Sequence, residues 1–97
     1  MIESGLERKF VEFVHKNHGL ALKWVSPGVT GVPDRICIFP GGKVIFVELK
    51  RPGRADGRSA RQKKMFRVLE GLGCKVWLVN DLDTFKRRLT EEQILEI

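Results

Sequence analysis

The twenty residues from Gly31 to Lys50, GVPDRICIFPGGKVIFVELK, decide the fold. Phe39-Pro40-Gly41-Gly42-Lys43 is a turn signal between two segments rich in β-formers, the pattern of an antiparallel hairpin. A hairpin brings its far ends together. Asp34 opens the first strand and Glu48 closes the second, so their carboxylates are predicted to meet at one end. Two hard oxygen donors placed in this way suit a divalent ion such as Mg2+. Strand side chains alternate between faces, so Val44, Phe46, Glu48 and Lys50 are predicted to share one, with Val44 and Phe46 as core residues. An acid and a lysine beside apolar side chains need partners or coordination, because unpaired charge is costly there.

Ninety-seven residues suit a single domain spanning 1–97, with a core over about 3–81 and a helical tail over 82–97. Eighteen Lys and Arg against twelve Asp and Glu leave a formal charge of +6, which favours an anionic partner. No apolar run approaches the roughly 20 residues of a membrane span. The amino terminus is amphipathic and contains glutamate, unlike a signal peptide, so a cytoplasmic location is expected. Cys37 and Cys74 are too few for a disulfide framework or a zinc site, and both read as small core residues within strands.

Leu6, Phe10, Phe13 and Val14 recur at helical spacing and predict a helix from Glu3 to about Asn17, ended by Gly19 in the left-handed cap conformation. On a helical wheel Glu3 and Glu7 fall on or beside the apolar arc, whereas Glu12 faces solvent. Glu7 either reaches water at the edge of the stripe or serves a site, and Glu3 also suits the helix amino terminus. His15 and His18 read as surface or capping residues. A strand follows over Leu20 to Val25, then a turn-rich loop from Ser26 to Gly31. Within that strand Lys23 alternates with Leu22 and Trp24, so it points either toward the site or into solvent.

Beyond Lys50, Pro52 ends the strand, and Arg51, Arg54 and Arg58 make the loop basic. Ser59-Ala60-Arg61-Gln62 matches a capping box that starts the next helix. Gln62 also shares a face with Met65, Phe66 and Leu69, so it either caps the helix or points to the sheet and a substrate. Between Lys50 and Lys64 the one acid is Asp56. Arg51, Arg54, Arg58, Arg61, Lys63 and Lys64 therefore read as phosphate-backbone contacts, against the alternative of an ordinary solvated face. Gly71 and Gly73 close the helix, and Lys75 to Val79 returns as a strand, a crossover that implies parallel pairing. Asp81 to Leu89 predicts a third helix, and Thr90-Glu91-Glu92-Gln93 a short capped fourth.

Pro33-Asp34 followed by Glu48-Leu49-Lys50 resembles the PD-(D/E)xK nuclease motif, and Gly31-Val32-Pro33-Asp34 with Glu48-Leu49-Lys50 resembles its VRR-NUC branch. The resemblance covers about Glu3 to Asp81. It implies an α/β, restriction-endonuclease-like αβββαβ core, a mixed four-stranded sheet flanked by helices. It also implies a metal-dependent DNA endonuclease in which Asp34, Glu48 and the Leu49 carbonyl hold Mg2+ or Mn2+ and Glu7 completes the site directly or through water. Lys50 would orient or deprotonate the attacking water, and Gln62 would contact that lysine or a phosphate. Related sequences carry a lysine and a serine at the positions of Lys23 and Ser26, which implies DNA contacts there. Small stand-alone relatives imply a homodimer acting on branched or junction DNA, in replication or repair and in a viral setting. The alternatives are a DNA-binding module without turnover, a nuclease acting on RNA or without structure preference, and a plain Glu48–Lys50 ion pair at a strand end.

Overall fold

The computed structural model describes residues 5–50 and 56–96. Its elements run α1 (Gly5–Lys16), β1 (Leu20–Lys23), β2 (Arg35–Phe39), β3 (Lys43–Leu49), α2 (Ala60–Gly71), β4 (Lys75–Val79) and α3 (Leu82–Glu91). The strands form one sheet in the order β1-β2-β3-β4, with β1/β2 and β2/β3 antiparallel and β3/β4 parallel. This is the expected α/β core, with one further helix after it.

Register divides the apolar residues between two faces of unequal depth. Ala21 pairs with Cys37 and Cys37 with Ile45, while Val47 lies beside Trp77 and Leu49 beside Val79. These side chains form the larger core with Phe10 and Val14 of α1 and Phe85 and Leu89 of α3. Aromatic packing joins the layers: the Phe10 and Phe85 rings lie 4.8 Å apart and Trp77 meets Phe85 edge-on at 5.9 Å. On the other face Phe66 and Leu69 of α2 bury Val76, with Phe46 and Leu78 half-buried around them. The face of Glu48 is thus the shallower one, and Val44, expected in the core, is exposed. The reason is coverage: α2 packs on β4, and Leu20 and Leu22 of β1 stay exposed on the same face.

Each described helix ends in a Schellman arrangement, in which the residue after the cap takes positive φ and two amides turn back to orphan carbonyls. In α1, His18 has φ 65°, and Gly19 N donates to Val14 O at 2.9 Å. The expected left-handed residue, Gly19, serves another need. A Cβ there would stand 2.9 Å from Ile38 O, so glycine allows the chain to approach β2. In α2, Gly73 has φ 89° and Cys74 N donates to Leu69 O at 3.0 Å, which leaves Gly71 inside the helix and Cys74 just before β4.

The expected fourth helix is absent among the described residues. Thr90 continues α3, Gln93 has φ 59°, and Ile94 N donates to Leu89 O at 2.9 Å. Burial of Ile94 in the core stops the helix where a second cap was expected. The first strand is also shorter than expected, ending at Lys23. Trp24 N still donates to Asp34 O at 3.0 Å, and the chain then leaves the ladder with Val25 fully outside it.

Candidate functional site

The hairpin register places Arg35 opposite Val47, so Asp34 lies opposite Glu48 at its open end. Two reciprocal bonds join them. Asp34 N donates to Glu48 Oε1 at 3.1 Å, and Asp34 Oδ2 accepts from Leu49 N at 2.9 Å. The delivery of Asp34 depends on the preceding loop. Pro33 is fully buried, and Gly31, at φ 88°, lies so close to the first turn of α2 that a Cβ would stand 2.7 Å from Arg61 O. Glycine meets both demands at once, the left-handed backbone and the close approach.

Asp34 is exposed, whereas Glu48 is 2% exposed and is one of two buried charged residues among those described. Lys50 Nζ lies 3.2 Å from Glu48 Oε2, and Gln62 Nε2 donates to the same oxygen at 2.7 Å. Burial first, and the Asp34 charge second, raise the Glu48 carboxyl above the ordinary carboxylate range, opposed by Lys50. A carboxylate offers about four acceptor directions, and three are met here by described residues, so Glu48 retains capacity for a cation.

The two roles open to Gln62 coexist. Its Oε1 accepts from Ser59 N at 2.8 Å while its own N–H donates to Ser59 Oγ at 3.1 Å, completing the capping box. The amide's other end reaches Glu48. Leu49 lies beside Val79 of β4, and Lys50 N donates to Val79 O at 2.9 Å, so the parallel strand holds the end of β3 in place.

Glu7 stands with another partner. Its Oε2 accepts from Arg35 Nη2 at 3.1 Å, and Arg35 Nη1 donates to Ala21 O at 2.9 Å. Among the described residues no three His, Cys, Asp or Glu side chains group as metal ligands, so Glu7 does not join Asp34 and Glu48 in such a set. Arg35 is the residue that sequence reasoning missed. It is 6% exposed, and its Nε has no hydrogen-bond partner among the described residues. The signal was present: Arg35 shares the strand parity of Cys37 and Phe39, both core residues.

Lys23 is exposed and pairs with Arg35, which places it on the face opposite Glu48, so the orientation toward the site is corrected. Ser26 is half-buried in a turn where its carbonyl accepts from Val29 N. Arg58 is held by Asp56, with Nη2 at 2.6 Å, and stacks over the Phe66 ring at 4.7 Å. The same contact holds the Asp56 carboxyl well below the usual range. Arg61 reaches Thr30 Oγ1 at 3.2 Å, and Lys63 and Lys64 are exposed on α2. Arg51 and Arg54, like Glu3, lie outside the described residues.

The hairpin and the parallel crossover thus bring two carboxylates, a lysine and a glutamine together at one end of the α/β sheet, in keeping with the resemblance to the PD-(D/E)xK motif. A solved VRR-NUC domain matches this chain with a TM-score of 0.75 at 26% identity, over 87% of this chain and 89% of that one. The chain is also 53% identical over 51 residues to "Putative nuclease p44" of Acyrthosiphon pisum secondary endosymbiont phage 1. That match takes in 53% of this chain and about half, 55%, of the phage protein. No family model matches the chain. In fold the chain is similar to a VRR-NUC domain.

Proposed function

We propose that this domain is a metal-dependent endonuclease that hydrolyses DNA phosphodiester bonds. The observation that carries the reading is the convergence of Asp34, Glu48, Lys50 and Gln62 at one end of the sheet. The name of the phage relative, a nuclease, and the VRR-NUC fold agree with it.

The donor set fits a divalent ion. Asp34 and Glu48 supply hard oxygens, and a cation would offset both the burial and the Asp34 charge that raise the Glu48 carboxyl. Asp34, Glu48 and the Leu49 carbonyl would hold Mg2+ or Mn2+, with Glu7 contributing through water. When bound, the ion lowers the pKa of a coordinated water and stabilises charge on the phosphate. Lys50, tethered to Glu48, orients the attacking water and adds positive charge beside the phosphate. Gln62 holds the Glu48 carboxylate through one donated bond.

DNA-backbone contacts fall to Arg61, Lys63 and Lys64, with Ser26, Arg51, Arg54 and Arg58 as further candidates. Backbone contacts select shape rather than bases, which favours branched or junction DNA in replication or repair. A homodimer suits a two-fold junction, and exposed Leu20, Leu22 and Val44 on the uncovered half of the sheet are apolar surface for a second copy. Among the described residues no helix is long and apolar enough to cross a membrane. A second reading, a DNA-binding module without turnover, is favoured by one observation: Glu7 is paired with Arg35.

The test incubates four-way junction, flap, duplex and single-stranded DNA, and matched RNA, with the protein and Mg2+, Mn2+ or EDTA. Metal-dependent cutting of junction DNA is expected, and Glu48→Ala should slow it by roughly 100-fold or more while leaving binding intact. Cutting by the variant at the parent rate overturns the metal site. Binding without cutting under every condition establishes the non-catalytic module instead.

A further inference from the structure

One amide links the start of α2 to the buried acid of the sheet. Gln62 Oε1 accepts from Ser59 N, and Gln62 Nε2 donates to Glu48 Oε2. We propose that the capping box fixes the polarity of this amide, and that Ser59 is thereby a positioning residue for Glu48. The proposal rests on the reading of Glu48 as a metal ligand.

The argument is one of donors and acceptors. A primary amide is nearly symmetrical in shape, so packing alone does not choose which end faces which partner. Its partners here are each of one kind. The Ser59 N–H only donates, and an ionised Glu48 carboxylate only accepts. A flipped Gln62 would set oxygen against oxygen at Glu48 and N–H against N–H at Ser59, losing both bonds. The box therefore presents NH2 to Glu48 in one sense.

This also explains the residue type. A capping box accepts Glu or Gln at this position, but a carboxylate facing Glu48 would add like charge and remove the donor. Glutamine alone satisfies both ends. The helix start is registered to the site from a second side as well, because the Gly31 backbone lies against the Arg61 carbonyl in the same turn.

Ser59 offers a clean separation, since its φ of −70° is that of proline. Ser59→Ala removes the hydroxyl and keeps the N–H, whereas Ser59→Pro removes both, so their difference isolates the bond to Gln62. Mn2+ titration of the whole chain is expected to show Ser59→Ala within about twofold of the parent and Ser59→Pro weaker by about tenfold, the worth of one orienting hydrogen bond. Equal affinity in the two variants overturns the proposal.

An NMR measurement on the unaltered protein stands independently of how the variants fold. The Gln62 side-chain NH2 should show one proton shifted downfield and slow to exchange, together with a protected Ser59 amide. Resonances exchanging like those of a free surface amide overturn the proposal. If the Gln62 amide is protected but the parent protein binds no Mn2+, the metal reading alone is overturned and the fixed amide stands.

Discussion

Glu48 is buried because the chain gives its carboxylate three donors, and the residue still bears the cost of that burial. Its carboxyl lies above its ordinary value of 4.5. The folded protein therefore holds that proton more tightly than the unfolded chain does. The Glu48 contribution to stability is greatest below the ordinary value and declines as pH rises through the folded one. A divalent ion must displace the same proton. The rise in Tm on adding Mn2+ should accordingly be absent in acid and grow as pH passes through the raised value, as thermal melts across a pH series would measure. A metal-induced rise as large in acid as at neutral pH would contradict this. At the same scale, Asp34, Glu48 and Lys50 were legible in the sequence, because a turn signal and strand alternation suffice to bring two ends together. Arg35 was missed although its strand parity with Cys37 and Phe39 stood in the sequence; its partner Glu7, supplied by α1, did not.

Helix ends are the elements where sequence and structure part most. Three described helices share one ending, yet only α2 places glycine, Gly73, at its left-handed position; α1 uses His18 and α3 uses Gln93. Left-handed backbone costs an L-residue about 1–2 kcal/mol, and glycine returns part of that gain through its freer unfolded chain. His18→Gly and Gln93→Gly should each raise stability by about 0.5–1 kcal/mol in urea unfolding. A loss in either would mean that the replaced side chain makes a contact worth more than the strain. Periodicity and turn residues made the order of elements legible. The misplaced caps at Gly19 and Thr90 failed for a common reason, since capping residues also occur where tertiary contacts, to Ile38 and through Ile94, overrule them.

At the scale of the whole molecule, the two buried charges among the described residues lie on opposite faces of one sheet, Glu48 under α2 and Arg35 under α1. The chain has a net charge of +6, and Arg61, Lys63 and Lys64 are exposed on α2, the helix whose Gln62 reaches Glu48. If these three contact phosphates, replacing them with alanine should lower the slope of log K against log salt by about two to three, read from DNA-binding anisotropy over a salt series. An unchanged slope would move the DNA track off α2.

The sequence by itself determined what is local: the hairpin that joins Asp34 to Glu48, the capping box at Ser59 and the parallel return of β4. These follow from turn chemistry, alternation and connection length, which act over short spans of chain. Only the tertiary structure decided which face of the sheet is deep, that Glu7 pairs with Arg35, and that Gln62 serves helix and site together. Each of those depends on how α1 and α2 dock on the sheet, and burial sums contributions from elements far apart in the chain.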